Sequence, residues 1–484
     1  MLLTLIPDID SYTRSAIALS MMIYPNTRST FYKEFWDQEL LICTKSSKII
    51  KSSSISIQNS NFFDGIITKA VFMDILKSHI MYSGIDIKVW KYDGRSLELA
   101  YPDCNDDDEE NNKIEVKYKD VLNKYSMGNS VKLLCPQKFH DPLWHFMSLL
   151  ESELNTSLSS SVILIPPGCK SFPARYDFRH NFILQIEGSS HWMIYEPLVT
   201  EEGQLEDHII DDSALTHLSG KEITLYPGDS LYIPKCWIYR EQSCTGAHSL
   251  HINIFNNQSN SYGSLLDLLV PEALELLKVK SRKMQRTLPT TFTNLMGVAA
   301  SEDEDPKRDK LTNIVKSLLN DVVKEALDML DAGSDQLLKS FIANRLPIPM
   351  SASEEERCAL GAPNARIYQY TKLRIIRPGI ARAIIEDGKV VVYHCIYNDR
   401  EHYKTVLSPL EFDLDDGPAI EALLFSYPDG VVIEELPHPS EEIDDKVSIA
   451  QSLYKEGLLI IEDETSAPSK NSNNNNSDED DDPF

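Results

Sequence analysis

Between Ile163 and Ile254 the apolar residues fall in short runs separated by Gly, Pro and Asp. Phe182-Ile183-Leu184-Gln185-Ile186 is followed by Glu187-Gly188, which is expected to turn the chain back into Trp192-Met193-Ile194-Tyr195, closed by Pro197. Ile223-Thr224-Leu225-Tyr226 meets the turn Pro227-Gly228-Asp229 and resumes as Leu231-Tyr232-Ile233-Pro234. A last hairpin is expected to pair Trp237-Ile238-Tyr239 with Leu250-His251-Ile252 across Thr245-Gly246. Strands this short and this closely punctuated predict a double-sheet β-barrel of jelly-roll or cupin type. At its centre lies a predicted strand, Pro173-Ala174-Arg175-Tyr176-Asp177.

The flanks read differently. Ile17, Leu19, Met21 and Met22, then Phe31, Phe35 and Trp36, recur at helical spacing, and Leu40-Leu41-Ile42 follows as a strand. Phe62-Phe63-Asp64-Gly65 and residues 71–76 predict a short helix, residues 85–92 a strand ended by Asp93-Gly94, and residues 143–150 a helix leading into the barrel. Beyond it, Leu311, Ile314, Val315, Leu318, Leu319, Val322, Val323, Ala326, Leu327 and Leu330 mark a long amphipathic helix that begins near Pro306 and is expected to stop at Gly333. Residues 373–379, the hairpin over 383–393, helices over 420–427 and 447–453, and a strand at 458–461 close the fold. These elements divide the chain into an N-terminal α/β module (1–139), a barrel (140–257), a helical region (258–345), a C-terminal domain (346–466) and an acidic tail (467–484).

Composition narrows the partners. The chain has 484 residues and a formal net charge of −27. The tail from Ala467 holds five acids and one lysine, and the run Asp103–Glu110 holds six acids, so most of the negative charge lies in the folded body. An acidic body disfavours direct nucleic-acid binding and favours a basic protein partner. The loop at 103–112 lacks the alternation of a calcium loop and reads as solvated chain. The eight cysteines show no Cys-x-x-Cys spacing, which fits reduced thiols in an intracellular compartment, and no run of eighteen apolar residues occurs. No signal-peptide pattern is expected at the N-terminus. Lys278, Lys280, Arg282, Lys283 and Arg286 read as the polar face of a helix rather than as an import signal.

Four runs carry a specific resemblance: LIPPGCKSFPARYD, FILQIEG, PGDSLYIPKCWIY and GAHSLHINIF. Together they resemble the JmjC domain of the ribosomal oxygenases, the bifunctional lysine-specific demethylase and histidyl-hydroxylase family. Members use Fe(II) and 2-oxoglutarate to hydroxylate a histidine of a ribosomal protein, and some are described as histone lysine demethylases. The resemblance implies an α+β architecture: a double-stranded β-helix barrel, a helical region that makes a homodimer, and a C-terminal winged helix. It also implies a nuclear, in particular nucleolar, site of action. The C-terminal module is surrounded by acids (Asp413, Asp415, Asp416, Glu434, Glu435, Glu441, Glu442), so a protein contact is expected there rather than DNA.

The same resemblance locates the chemistry. A non-haem Fe(II) centre of this kind takes two imidazoles and one carboxylate on one face, leaving positions open for co-substrate and oxygen. The family's metal positions fall on Arg175, Asp177 and Tyr239, and its co-substrate lysine on Ser190, so only Asp177 keeps the expected residue type. Arginine has no lone pair to offer a metal. Arg175 is expected to stand in for the metal charge and to form a bidentate pair with Asp177 on the same strand face. His251, across the expected hairpin from Tyr239, is the candidate rescue ligand, with His180 and His191 nearby; each is expected to be structural. Three readings follow. The chain is a pseudo-oxygenase that binds a basic protein such as a ribosomal protein or histone tail, a 2-oxoglutarate-dependent dioxygenase with rearranged ligands, or a dimeric adaptor acting through its winged helix.

Overall fold

The structure is a computed structural model that describes residues 10–44, 63, 65–104, 113–197, 208–210, 215–256, 261–301, 305–401, 408–440 and 442–463. Phe62 and Asp64, most of the acidic loop and the tail from Ala467 lie outside the described residues. The described residues form two compact units, one within 1–349 and 397–407 and the other within 350–396 and 408–484.

In the first unit helix α1 (Ser11–Ile23) starts at Asp10, whose carboxylate accepts from the Thr13 backbone N–H and satisfies one free end of the helix. Strand β1 (Leu41–Cys43) follows a wide turn over Phe31–Phe35, and then come α2 (Lys69–Ser78), β2 (Ile87–Tyr92), β3 (Leu97–Leu99), α3 (Tyr118–Ser126), β4 (Ser130–Leu134), α4 (Asp141–Leu154) and β5 (Leu158–Ile165). The barrel continues with β6 (Arg175–Tyr176), β7 (Asn181–Gly188), β8 (Ser190–Tyr195), β9 (His208–Ile209), β10 (Lys221–Leu225), β11 (Ser230–Ile233), β12 (Ile238–Ser243) and β13 (Ser249–Asn256). Two antiparallel sheets result, with strand orders β1-β11-β7-β13-β5-β4-β2-β3 and β10-β8-β12-β6-β9. This is the expected jelly-roll arrangement.

Alternation along the strands decides what faces what. Leu250, Ile252 and Ile254 of β13 join Phe182 and Leu184 of β7 in the core covered by α1, α2 and α4, where Leu19, Phe72 and Phe146 pack. The alternate positions, such as Ile183 and Trp192, turn inward between the sheets with Leu225, Leu231 and Tyr239.

Two expected pairings do not form. β7 and β8 are not a hairpin: β7 pairs with β11 and β13, while β8 pairs with β10 and β12. Gly188 at φ 65° carries the chain from one sheet to the other, and a Cβ there would collide with the His248 carbonyl. Likewise β12 and β13 diverge, β12 pairing with β6 and β8 and β13 with β5 and β7. In a jelly roll, consecutive strands cross between sheets, so a local turn signal misleads.

After the barrel, α5 (Tyr262–Lys280) runs unbroken through Pro271, and α6 (Pro306–Asp328) packs on it through Leu269, Ala273, Leu277, Val322 and Ala326. Gly333 does not end the helical run. It lies inside α7 (Leu330–Asn344), where any Cβ would run into Leu269, so its smallness serves packing. Only Lys278 and Lys280 lie on α5, pairing with Glu275 at 2.5 Å and Glu325 at 2.9 Å; Arg282, Lys283 and Arg286 fall in the turn past its end, where Lys283 lies 3.8 Å from Asp321, so the expected helical face is shorter than the basic run.

The second unit holds α8 (Ala352–Arg357), β14 (Lys372–Ile375), β15 (Ala381–Glu386), β16 (Lys389–His394), β17 (Leu410–Phe412), α9 (Gly417–Leu424), β18 (Val431–Val432), α10 (Ile443–Lys455) and β19 (Leu459–Asp463). Its β15–β16 hairpin turns on Asp387-Gly388, with φ of 50° and 76°, the positive angles that such a two-residue turn demands.

Candidate functional site

Arg175, Asp177 and Tyr239 come together at one end of the smaller sheet. Arg175 and Tyr239 are direct cross-strand partners between β6 and β12, which brings their side chains onto one face. The chain leaves strand geometry after Tyr176, so Asp177 sits at the start of a turn rather than two positions along a strand. In that turn its buried carboxylate accepts from the Arg179 backbone N–H at 3.0 Å, from Asn181 Nδ2 at 2.9 and 3.0 Å on its two oxygens, and from Tyr239 Oη at 3.2 Å.

The expected direct Arg175–Asp177 pair is absent among the described residues. Arg175 Nε instead donates to Tyr239 Oη at 3.3 Å, and the phenol passes the connection on to Asp177. The guanidinium lies over Phe172, its Cζ 4.0 Å from the ring centroid, and 5.2 Å from the centroid of Tyr239. Burial pulls the guanidinium toward losing its proton, but the Tyr239 phenol and the Glu241 and Asp177 carboxylates outweigh it and hold its pKa above the ordinary arginine value.

Ser190 belongs to a separate, closed network. Trp192 Nε1 donates to Ser190 Oγ at 2.8 Å, Ser190 Oγ donates to Gln185 Oε1 at 2.7 Å, and Gln185 Nε2 donates to Ser249 Oγ at 3.1 Å. Every member is neutral, so no charge stands at this position to meet a carboxylate.

The histidines are placed apart from one another. His251 is fully buried, 3.3 Å from Glu241 through Nε2 and edge-on to Trp192; burial lowers its pKa more than Glu241 raises it. His180 stacks on Trp36 with centroids 4.4 Å apart. Its Nδ1 lies 2.9 Å from Tyr232 Oη, which already accepts the Asp37 backbone N–H, so the phenol donates and Nδ1 accepts. Burial, reinforced by Lys235, drives His180 down to about 3. His191 lies on the other face of β8, 2.8 Å from Glu222 and 3.3 Å from Thr224 Oγ1. Among the described residues no group of three or more His, Cys, Asp or Glu is arranged to hold a metal ion.

Three participants were not singled out from the sequence. Asn181 anchors Asp177, Phe172 supports the guanidinium, and Glu241 meets His251. Glu241 was within reach of pattern reasoning, since it lies two residues beyond Tyr239 on the same strand face. Phe172 lies in a bend and Asn181 is the first residue of β7, positions at which the strand pattern carries no signal of their role.

A family model described as a JmjC domain matches residues 132–263, and one described as the C-terminal winged helix domain of ribosomal oxygenase 1 matches residues 349–464. Ribosomal oxygenase 1 of Danio rerio is 27% identical over 95% of this chain and 82% of its own length. The human protein of that name is 28% identical over 93% of this chain and 68% of its own length. The bifunctional lysine-specific demethylase and histidyl-hydroxylase NO66 of Branchiostoma floridae is 26% identical over 94% of this chain and 69% of its own length. Among solved structures, the Escherichia coli ribosomal oxygenase YcfD with cobalt and 2-oxoglutarate aligns over 91% of this chain and 99% of its own, at 14% identity and a TM-score of 0.41. A JmjC domain and a winged helix of the ribosomal oxygenase 1 type thus occur in one chain, which is similar to the JmjC ribosomal oxygenases over more than nine-tenths of its length.

Proposed function

We propose that the chain is a member of this family that works without iron: its barrel binds a basic protein segment, of a ribosomal protein or a histone tail, and does not oxidise it. The observation that carries the reading is the state of Asp177. Its carboxylate receives four contacts from three donors, which occupy the directions in which a metal would approach. The two positions expected to supply imidazoles hold a guanidinium, which has no lone pair, and a phenol whose hydroxyl is directed at Asp177. These residues do not fit Fe(II). Nor does the neutral chain around Ser190 fit the far carboxylate of 2-oxoglutarate.

The net charge of −27 supports a basic partner, through attraction at long range. Exposed apolar residues on α6, among them Ile314, Leu319, Val323 and Leu327, support a homodimer formed through the helical region. Similarity to this family supports work in the nucleus, and in the nucleolus in particular. Among the described residues no helix is long and apolar enough to cross a membrane.

The test pairs binding with turnover. Purified full-length protein is mixed with basic ribosomal-protein and histone peptides in the presence of Fe(II), ascorbate and 2-oxoglutarate. Retained peptide with unchanged mass is the expected result. A gain of one oxygen atom, or loss of a methyl group, that depends on 2-oxoglutarate would overturn the proposal in favour of a dioxygenase with rearranged ligands.

A further inference from the structure

On the side of the smaller sheet turned away from the barrel interior lies a cleft of about 270 Å³. His191 and Met193 border it, and they alternate along β8 with Trp192 and Ile194, which pack between the sheets beside Tyr239. We propose that this cleft is a docking groove for an extended stretch of the basic partner segment, selected by one basic and one acidic residue on the same face of that stretch. The proposal deepens the reading of the barrel as a protein binder and rests on it.

The sheet register sets out the charges. Cross-strand pairing puts Glu222 opposite Met193 and Met193 opposite Arg240, while a second row runs through Thr224, His191, Gln242, Lys170 and Tyr92. Directly paired residues share a face. An acid therefore stands on β10 at one side of the cleft and a lysine beyond β12 at the other. Three strand spacings, about 14 Å, separate them at the backbone, with the apolar Met193 between.

Both charges are open to a ligand. Glu222 is 66% exposed, and His191 Nε2 engages one of its oxygens at 2.8 Å. Lys170 is exposed, and among the described residues no acid or other acceptor pairs with its ammonium. In a chain with 74 acids to 47 lysines and arginines, composition alone would supply it with a partner. The lysine leans toward the β2–β3 turn, where a Cβ at Gly94 would collide with its Nζ. Asp93 in that turn is occupied by the backbone N–H groups of Arg95 and Ser96 at 2.7 and 2.8 Å. The two other charged residues of the cleft do not cancel its polarity. Glu241 turns its carboxylate to His251 at 3.3 Å and is 2% exposed, and Arg240, on the Lys170 side, is engaged within the protein.

A ligand of one sign would meet its like at one end of this cleft. An extended chain presents residues two or four apart on one face, about 7 and 14 Å from each other, which matches the distance between the two walls. A basic residue toward Glu222 and an acidic one toward Lys170 make two attractions, whereas two like charges make one attraction and one repulsion. The net charge of −27 draws the basic segment in, and the cleft fixes where along that segment it seats.

Full-length protein in EDTA is titrated, by competition fluorescence anisotropy, with capped peptides of one neutral extended background. They carry Lys with Glu, two Lys, or two Glu at these spacings. The long-range field of the chain alone ranks two Lys first. The cleft ranks Lys with Glu first, by about threefold or more at low salt over either like-charged peptide, the scale of a partly exposed ion pair. Lys170→Glu should move the preference to two Lys, and Glu222→Lys to two Glu. Both residues are exposed, so each variant should keep the circular dichroism of the parent, and the double exchange Lys170→Glu with Glu222→Lys should restore the preference for the mixed peptide. Equal affinities for the three peptides, two Lys or two Glu ranking first for the unaltered protein, or a ranking that neither variant shifts, overturns the inference and leaves the iron-independent reading standing. Oxidation of a bound peptide that depends on 2-oxoglutarate overturns that reading and leaves the groove.

Discussion

Replacing Asp177 by alanine separates a structural carboxylate from a metal ligand by the sign of its effect on stability. In a metal site awaiting its ion, a carboxylate held among other ligands is kept for function, and its removal is neutral or stabilising. Here the carboxylate is buried and accepts from the Arg179 backbone, Asn181 Nδ2 and Tyr239 Oη at 2.9–3.2 Å, and it lies within the field of Arg175. Alanine leaves three donors without an acceptor and a guanidinium without one of its counter-charges. Hydrogen bonds to a charged group are worth about 1.5–3 kcal/mol each, and unpairing a buried charge costs about 3–5 kcal/mol; because these effects overlap, we expect about 3–5 kcal/mol in all. The barrel unit should then melt on the order of 10 °C lower. Asp177→Asn, which keeps one acceptor oxygen, should fall between wild type and alanine. The assay is thermal unfolding followed by near-ultraviolet circular dichroism in EDTA, so that adventitious metal plays no part. An unchanged or raised melting temperature for Asp177→Ala would refute the reasoning that this carboxylate has been taken over by the fold.

Other consequences are open to measurement. His180 is held neutral down to about pH 3, while in the unfolded chain it takes up a proton near its ordinary value of 6.5. Its contribution to stability is therefore complete above about pH 6.5 and is lost as pH falls toward 3, with a slope of up to about 1.4 kcal/mol per pH unit. His180→Gln should remove that part of the acid slope in urea titrations run between these limits. Glu151 is fully buried and accepts from the backbone N–H of Leu158 at 2.9 Å and of Leu346 at 2.7 Å, tying α4 to β5 and to the end of α7. Glu151→Ala should cost about 3–5 kcal/mol in denaturant unfolding, and Glu151→Gln less. On α6, Leu319, Val323 and Leu327 are 59%, 58% and 64% exposed in a single chain. The double change Leu319→Glu with Val323→Glu should halve the mass seen by light scattering while leaving circular dichroism unchanged; an unaltered mass contradicts a dimer through this face.

Much of the fold was legible because the signals are local. The short apolar run at 182–186 and the positive-φ turn at Asp387-Gly388 both specify strands without knowledge of their neighbours. Pairing was not legible. Glu187-Gly188 has the composition of a hairpin turn, yet it moves the chain between sheets, because a jelly roll buries each strand's apolar face against the opposite layer. Gly333 has the appearance of a helix stop and is instead a contact point for Leu269, a distinction that only the neighbouring helix supplies. At the site, the residue types were readable but one contact was not. Period-two reasoning set Arg175 and Asp177 side by side, but β6 ends at Tyr176 and the turn presents Asp177 to Asn181 and Tyr239. A rule that holds inside a strand fails one residue past its end.

The most direct test of the central claim is the metal content of the full-length protein, prepared under anaerobic conditions with excess Fe(II) and then desalted. The account predicts less than about 0.1 iron per chain, and none gained on adding 2-oxoglutarate, because no imidazole stands at the two positions an Fe(II) centre of this kind requires. Close to one iron per chain, lost on Asp177→Ala, would contradict it.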